Sequence, residues 1–130
     1  MLRPYSELWD TPNWTWDFRL VIDDVNYRHS AAGGIHPAWN AMNKLHQSVV
    51  IGHLHARSGV KYSMNNKMRI FGMDTGCGID ERAFNFAYGR DTLERPALSA
   101  GIIIDGTGYL EPMPIGKGEK YHDSKFKEDI

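Results

Sequence analysis

Two periods of apolar and polar residues share this chain, and the places where one gives way to the other outline its elements. Trp16 to Ile22 and Val25 to His29 are rich in strand-forming side chains, and the polar Asp23-Asp24 between them suits a hairpin turn. From Pro37 to Gln47 the period lengthens. Ala38, Trp39, Ala41, Met42 and Leu45 recur at helical spacing behind a proline pre-set for a first turn, which predicts a short amphipathic helix covering one face of a sheet. Ser48 to Gly52 is a continuous short apolar run of the kind buried on both faces, and so an interior strand. Gly59 to Ser63 and Lys67 to Met73 read as a hairpin about the turn-capable Met64-Asn65-Asn66. Ala97 to Asp105 and Tyr109 to Met113, joined by Asp105-Gly106-Thr107-Gly108, give the clearest hairpin signal.

Between these elements the patterns weaken. The first dozen residues, with Pro4 and Pro12, read as irregular, and Asp80 to Thr92 carries Phe84, Phe86 and Tyr88 at alternating spacing without a regular assignment. Ser30 to Gly34 is a small, flexible loop in which backbone can approach a ligand closely. The order of strand, loop, helix and strand predicts an α/β domain of mixed strands with one short amphipathic helix over residues 1–116, followed by a polar tail at 117–130.

At 130 residues, one domain with one core is expected. The 15 basic and 16 acidic residues give no overall bias toward nucleic acid or an anionic membrane, so neither partner is indicated. The single cysteine, Cys77, has no intramolecular disulfide partner, no leader pattern is evident, and no apolar run approaches the ~20 residues of a membrane span. A cytoplasmic protein is expected.

The chemistry concentrates at the end of the interior strand, in Gly52-His53-Leu54-His55. In extended backbone, histidines at i and i+2 share a side, and neutral imidazole is the commonest metal ligand. The spacing alone equally describes two ordinary surface histidines. His29 sits at the exit of an earlier strand. In open α/β sheets ligands bind beyond the carboxyl ends of the strands, where His53 and His55 are expected to lie.

A strand ending in His29, a glycine-rich loop, a helix, and a strand ending in Gly52-His53-Leu54-His55 together resemble the second half of calcineurin-like metallophosphoesterases, of phage or bacterial type, over roughly residues 14–115. The resemblance implies one half of an α/β/β/α sandwich and a hydrolase in which metal-activated water attacks a phosphoester. His29 and His53 would ligate one divalent ion (Mn, Fe or Zn) and His55 the other. Asp74-Thr75-Gly76-Cys77 is similar to a turn found after the histidine pair in one branch of the family, on a strand leading away from the site. Asp74 and Thr75 are thereby candidates to support the ligands or meet phosphate. His36 and Arg57 are further phosphate candidates, although His36 precedes Pro37 as a helix-start residue would and Arg57 suits a surface ion pair equally well.

The chain departs from the family at Ser30, where glycine is usual after the histidine, and in lacking the Asp-x-His, Gly-Asp-x-x-Asp and Gly-Asn-His-Asp/Glu motifs of the first half. Two ions about 3.5–4 Å apart need a bridging carboxylate to offset their repulsion, which three neutral histidines do not supply. A poorly active isolated chain is therefore expected, complete only with another polypeptide that carries the missing motifs or if the chain is a truncated product, and the apolar sheet face that half a sandwich strands predicts self-association or a partner. The competing expectation is an inactive half-domain serving as a protein-binding or inhibitory module. No catalytic residue is assigned from sequence. Cys77 reads as a small buried thiol, His46 as a solvated helix residue and His122 as a tail residue, while Trp14, Trp16 and Trp39 are expected in the core.

Overall fold

The computed structural model describes residues 4–17, 19–30, 32–79, 94 and 96–113. The ambiguous segment 80–92, the tail at 117–130 and His122 lie outside these residues. Seven strands and two helices are present among them: α1 (Tyr5–Leu8), β1 (Leu20–Ile22), β2 (Val25–Arg28), α2 (Pro37–Leu45), β3 (Ser48–Ile51), β4 (Ser58–Met64), β5 (Arg69–Thr75), β6 (Ser99–Ile104) and β7 (Thr107–Pro112). This is the expected α/β class with a mixed sheet.

Five strands form one sheet in the order β1-β2-β3-β5-β4, and β6 and β7 pair as a separate hairpin. The neighbours β2, β3 and β5 run parallel, whereas β1 and β4 are antiparallel additions at the two edges. A parallel pair needs a crossover, which α2 supplies between β2 and β3. The interior strand β3 is buried at all four positions, as its unbroken apolar run predicts.

Alternation along the strands divides the core into two layers. On one face Val49 and Ile51 meet Ala38, Ala41 and Met42 of α2; on the other Val25, Val50, Phe71 and Met73 meet Ile103 and Leu110 of the hairpin. Both faces are joined through glycines. A Cβ on Gly72 would lie 2.7 Å from the carbonyl carbon and oxygen of Ala38 and 2.8 Å from the nitrogen of Trp39, so helix and strand touch backbone to backbone. On the opposite face a Cβ on Gly108 would come within 2.7–3.1 Å of Met73 and Phe71 side-chain atoms. The hairpin is further held to β4 and β5 by the Tyr62 hydroxyl donating to the Gly108 carbonyl (2.6 Å) and by Arg69 donating to Thr107 Oγ1 (2.6 Å).

The amino-terminal region differs from expectation. One helical turn forms at Tyr5–Leu8, too short to leave a periodic signal, and the first strand starts at Leu20, not Trp16. Trp14 and Trp16 consequently precede the sheet and are exposed (68% and 44%) rather than in the core. Trp16 instead packs beside Tyr5 and Trp14 and donates its indole N–H to Thr11. Trp39 packs against the helix-side core as expected.

Because the atoms opposing Gly72 are backbone and cannot swing aside, Gly72→Ala is expected to destabilise the fold by about 3 kcal/mol, at the upper end of overpacking costs. Gly101→Ala, opposed by the flexible Met73 and by Thr75, should cost less. Urea denaturation of the two variants checks both the size and the order.

Candidate metal centre

His29 follows β2 and His53 follows β3 by one residue beyond Gly52, so the parallel register places both beyond the carboxyl ends of adjacent strands. Their rings meet edge to face, with His53 Nδ1 3.0 Å from His29 Nε2 and ring centroids 4.8 Å apart. In the absence of a metal one nitrogen must donate its proton to the other. The separation is also that of adjacent nitrogens about 2.1 Å from one octahedral ion, about 3.0 Å, and is shorter than the roughly 3.4 Å of a tetrahedral one. Both residues are exposed, and His53 lines an open cleft.

His55 does not join them. The strand ends at Ile51, so the alternation that would align His53 with His55 has stopped before either is reached. The carbonyl of His55 is engaged elsewhere, accepting the Ala97 N–H at 2.6 Å and the Cys77 thiol at 3.5 Å. Among the described residues no group of three or more His, Cys, Asp or Glu side chains converges as a metal site would require. Two of the three candidate histidines are thus brought together and the third is not. Gly52 needs no left-handed backbone, and a Cβ there would meet only Thr75 Oγ1 at 3.6 Å, so the sharp turn that glycine can provide is not used.

The supporting candidates separate by role. Thr75 donates its hydroxyl to the Ile51 carbonyl (3.2 Å), stitching β5 to β3 just before the histidine strand ends. Arg57 pairs with Glu94 at 2.9 Å on the surface, the ion-pair alternative foreseen for it. His36 occupies the N-cap position of α2 with no side-chain cap, and His46 takes the left-handed C-cap position (φ 51°). Cys77 is partly buried. Asp74 lies within β5 rather than in a turn, on the α2 side of the sheet, where the backbone N–H of Ala38 at the start of α2 favours its ionised form.

Burial pushes the Asp74 carboxyl above its ordinary value, and the Ala38 N–H, His36 and Lys61 oppose that shift without reversing it. Its Oδ1 is buried without a hydrogen-bond partner.

Arg28 is a contributor that the sequence did not single out, whereas Ser30, Gly33 and Gly34 belong to the loop in which a close backbone approach to a ligand is expected. The cleft, about 580 Å³, is lined by Arg28, Ser30, Gly33, Gly34, Pro37 and His53, among others. The loop is fixed by Asn40, whose amide donates to the Gly33 carbonyl at 2.9 Å. Alternation was the available signal for Arg28: Val25 and Tyr27 pack on the hairpin face, which sends Asn26 and Arg28 to the α2 face.

Comparison of the chain with protein-family models, with curated proteins and with solved structures finds no match. Among the described residues no helix is long and apolar enough to cross a membrane.

A carboxyl whose folded pKa is raised contributes stability below its unfolded pKa and loses it as pH rises through the folded one. Ionised Asp74 therefore opposes folding at neutral pH. Asp74→Asn, which removes the charge with little change of shape, is expected to raise Tm at pH 7, with the gain shrinking as pH falls toward and below 3.8, the ordinary carboxyl value. Thermal melts of both proteins across pH 3–7 check the trend. A wild-type advantage that grows with pH would reverse the assignment.

Proposed function

We propose that this chain is part of a metal-dependent phosphoesterase, contributing a two-histidine portion of the metal centre and relying on another segment or polypeptide for the carboxylates. The observation that carries the reading is the 3.0 Å approach of His29 and His53 at the ends of adjacent parallel strands. It is supported by the layered arrangement of α2, mixed sheet and β6–β7 hairpin, which fits one half of a metallophosphoesterase-like α/β/β/α sandwich. A divalent ion bound at such a centre polarises a phosphoryl oxygen and lowers the pKa of bound water. The chain's own part is to hold the ion through His29 and His53. His55 is assigned to a second ion only in the assembled protein.

A second reading, an inactive half-domain that binds a protein partner, is favoured by the exposed apolar positions. Ile102, Ile104 and Tyr109 are exposed on the hairpin, and all three residues of β1 (Leu20, Val21 and Ile22) are exposed at the sheet edge. Ile102 and Tyr109 are register partners, and an exposed apolar patch marks an interaction site. Metal dependence separates the readings.

Mn or Zn titration calorimetry should show one metal bound per chain, weakened at least tenfold by His29→Ala and by His53→Ala. Hydrolysis of a chromogenic phosphodiester should stay near background for the lone chain and rise when a polypeptide carrying the aspartate motifs is added. Metal binding unaffected by both histidine variants would remove the metal reading. Strong hydrolysis by the lone chain would instead refute the incomplete centre.

A further inference from the structure

We propose that the cleft between the β2 end and the start of α2 binds the phosphoryl group of a phosphate monoester without any metal, with Arg28 as its charged contact. The proposal deepens the phosphoesterase reading. It rests on that reading for the choice of a phosphate ester among oxyanions, whereas the anionic character follows from the cleft itself.

Arg28 lines the cleft together with His53, and none of the cleft's lining residues is a carboxylate. Among the described residues the Arg28 guanidinium has neither an ion-pair nor a side-chain hydrogen-bond partner, and its Nε is covered by protein and bonds nothing. A guanidinium is always charged and carries five donors in a planar fork that matches phosphate oxygens two at a time. Asp74, the acidic residue on the same face, does not neutralise it. Both Arg28 and Asp74 pair in register with Ile51, from opposite sides, and are thus two strand spacings, roughly 10 Å, apart at the backbone.

Shape supports an ester over a bare ion. A volume of about 580 Å³ falls among small-molecule sites, which run from roughly 300 to 1,000 Å³, and is far larger than one phosphate needs. The wall opposite β2 is held open by the loop, since Asn40 fixes the Gly33 carbonyl and Gly34 sits at φ +95°. A side chain at Gly34 would be strained by that φ and would press on the Asn40 amide at 3.1 Å.

The test is calorimetric and NMR titration of the full chain, in EDTA, with AMP and with inorganic phosphate as probes. AMP should bind, more tightly than phosphate. Arg28→Gln should weaken AMP at least tenfold, and Arg28→Lys, which keeps the charge but loses the fork, should weaken it less. Ser30→Glu places a carboxylate in the exposed mouth without touching Arg28 and should abolish binding in a protein whose melting is unchanged, which guards against a folding defect in the arginine variants. Arg57→Gln should have no effect. Equal affinity for phosphate and AMP would assign the site to free phosphate; no binding of either probe in EDTA, or binding indifferent to Arg28→Gln and Ser30→Glu, would overturn the proposal. Because EDTA removes any metal, its failure is distinct from failure of the histidine centre. AMP binding retained while metal binding fails would leave the cleft standing alone, and the converse would leave the metal centre alone.

Discussion

The backbone contact between α2 and β5 at Gly72 is the constraint on which the arrangement of the candidate site depends. The helix starts at Pro37, beside the carboxyl ends of the parallel strands, because Ala38 and Trp39 rest directly on Gly72. The chain leaving β2 at Arg28 must then reach that helix start across the strand ends, and the loop it forms becomes a wall of the cleft. His29 is the first residue of that loop, His53 leaves the strand alongside, and the parallel pairing of β2 with β3 sets their rings side by side. A helix seated farther from the sheet would leave both histidines in place without a cleft beside them.

The same strand is approached closely on its other face. Gly101 and Gly108 bring the hairpin onto Met73 and Phe71, so β5 is enclosed by a helix on one side and strands on the other. This accounts for the burial of Phe71, Gly72 and Met73 in succession, and for why Asp74, the next residue, is only partly exposed and feels its burial. The carboxyl is tolerated because α2 begins above it, where the first helical N–H groups lack partners of their own.

Much of the fold could be read from the sequence because its strongest signals coincide with tertiary demands. The helix at Pro37–Leu45, the buried strand at Ser48–Ile51 and the β6–β7 hairpin all have patterns that burial reinforces. The tryptophans misled because bulk and hydrophobicity carry no information about whether a sheet is there to receive them; Trp14 and Trp16 lie before the strand begins. At the site, the pairing of His29 with His53 follows from parallel adjacency, which a strand-helix-strand order implies. The separation of His55 was not legible, because it depends on where β3 stops and on the ties of the His55 carbonyl to Ala97 and Cys77. Arg28 escaped notice as a lone charged residue in a strand, and only the missing partner revealed by the fold makes it distinctive.

The turn between β1 and β2 lies at the end of β2 opposite the cleft, where Asp24 accepts a hydrogen bond from the Gln47 amide at 2.8 Å. Asp23 and Asp24 both adopt left-handed backbone (φ 49° and 61°), so two non-glycine residues hold the conformation of a tight hairpin. Strand β2 then runs from this turn to Arg28 at the cleft, which leaves its whole length between the turn and the histidines. A dye, tether or inserted peptide at Asp23-Asp24 would report on the assembled sheet, or anchor it to a surface, with the cleft facing away from the attachment.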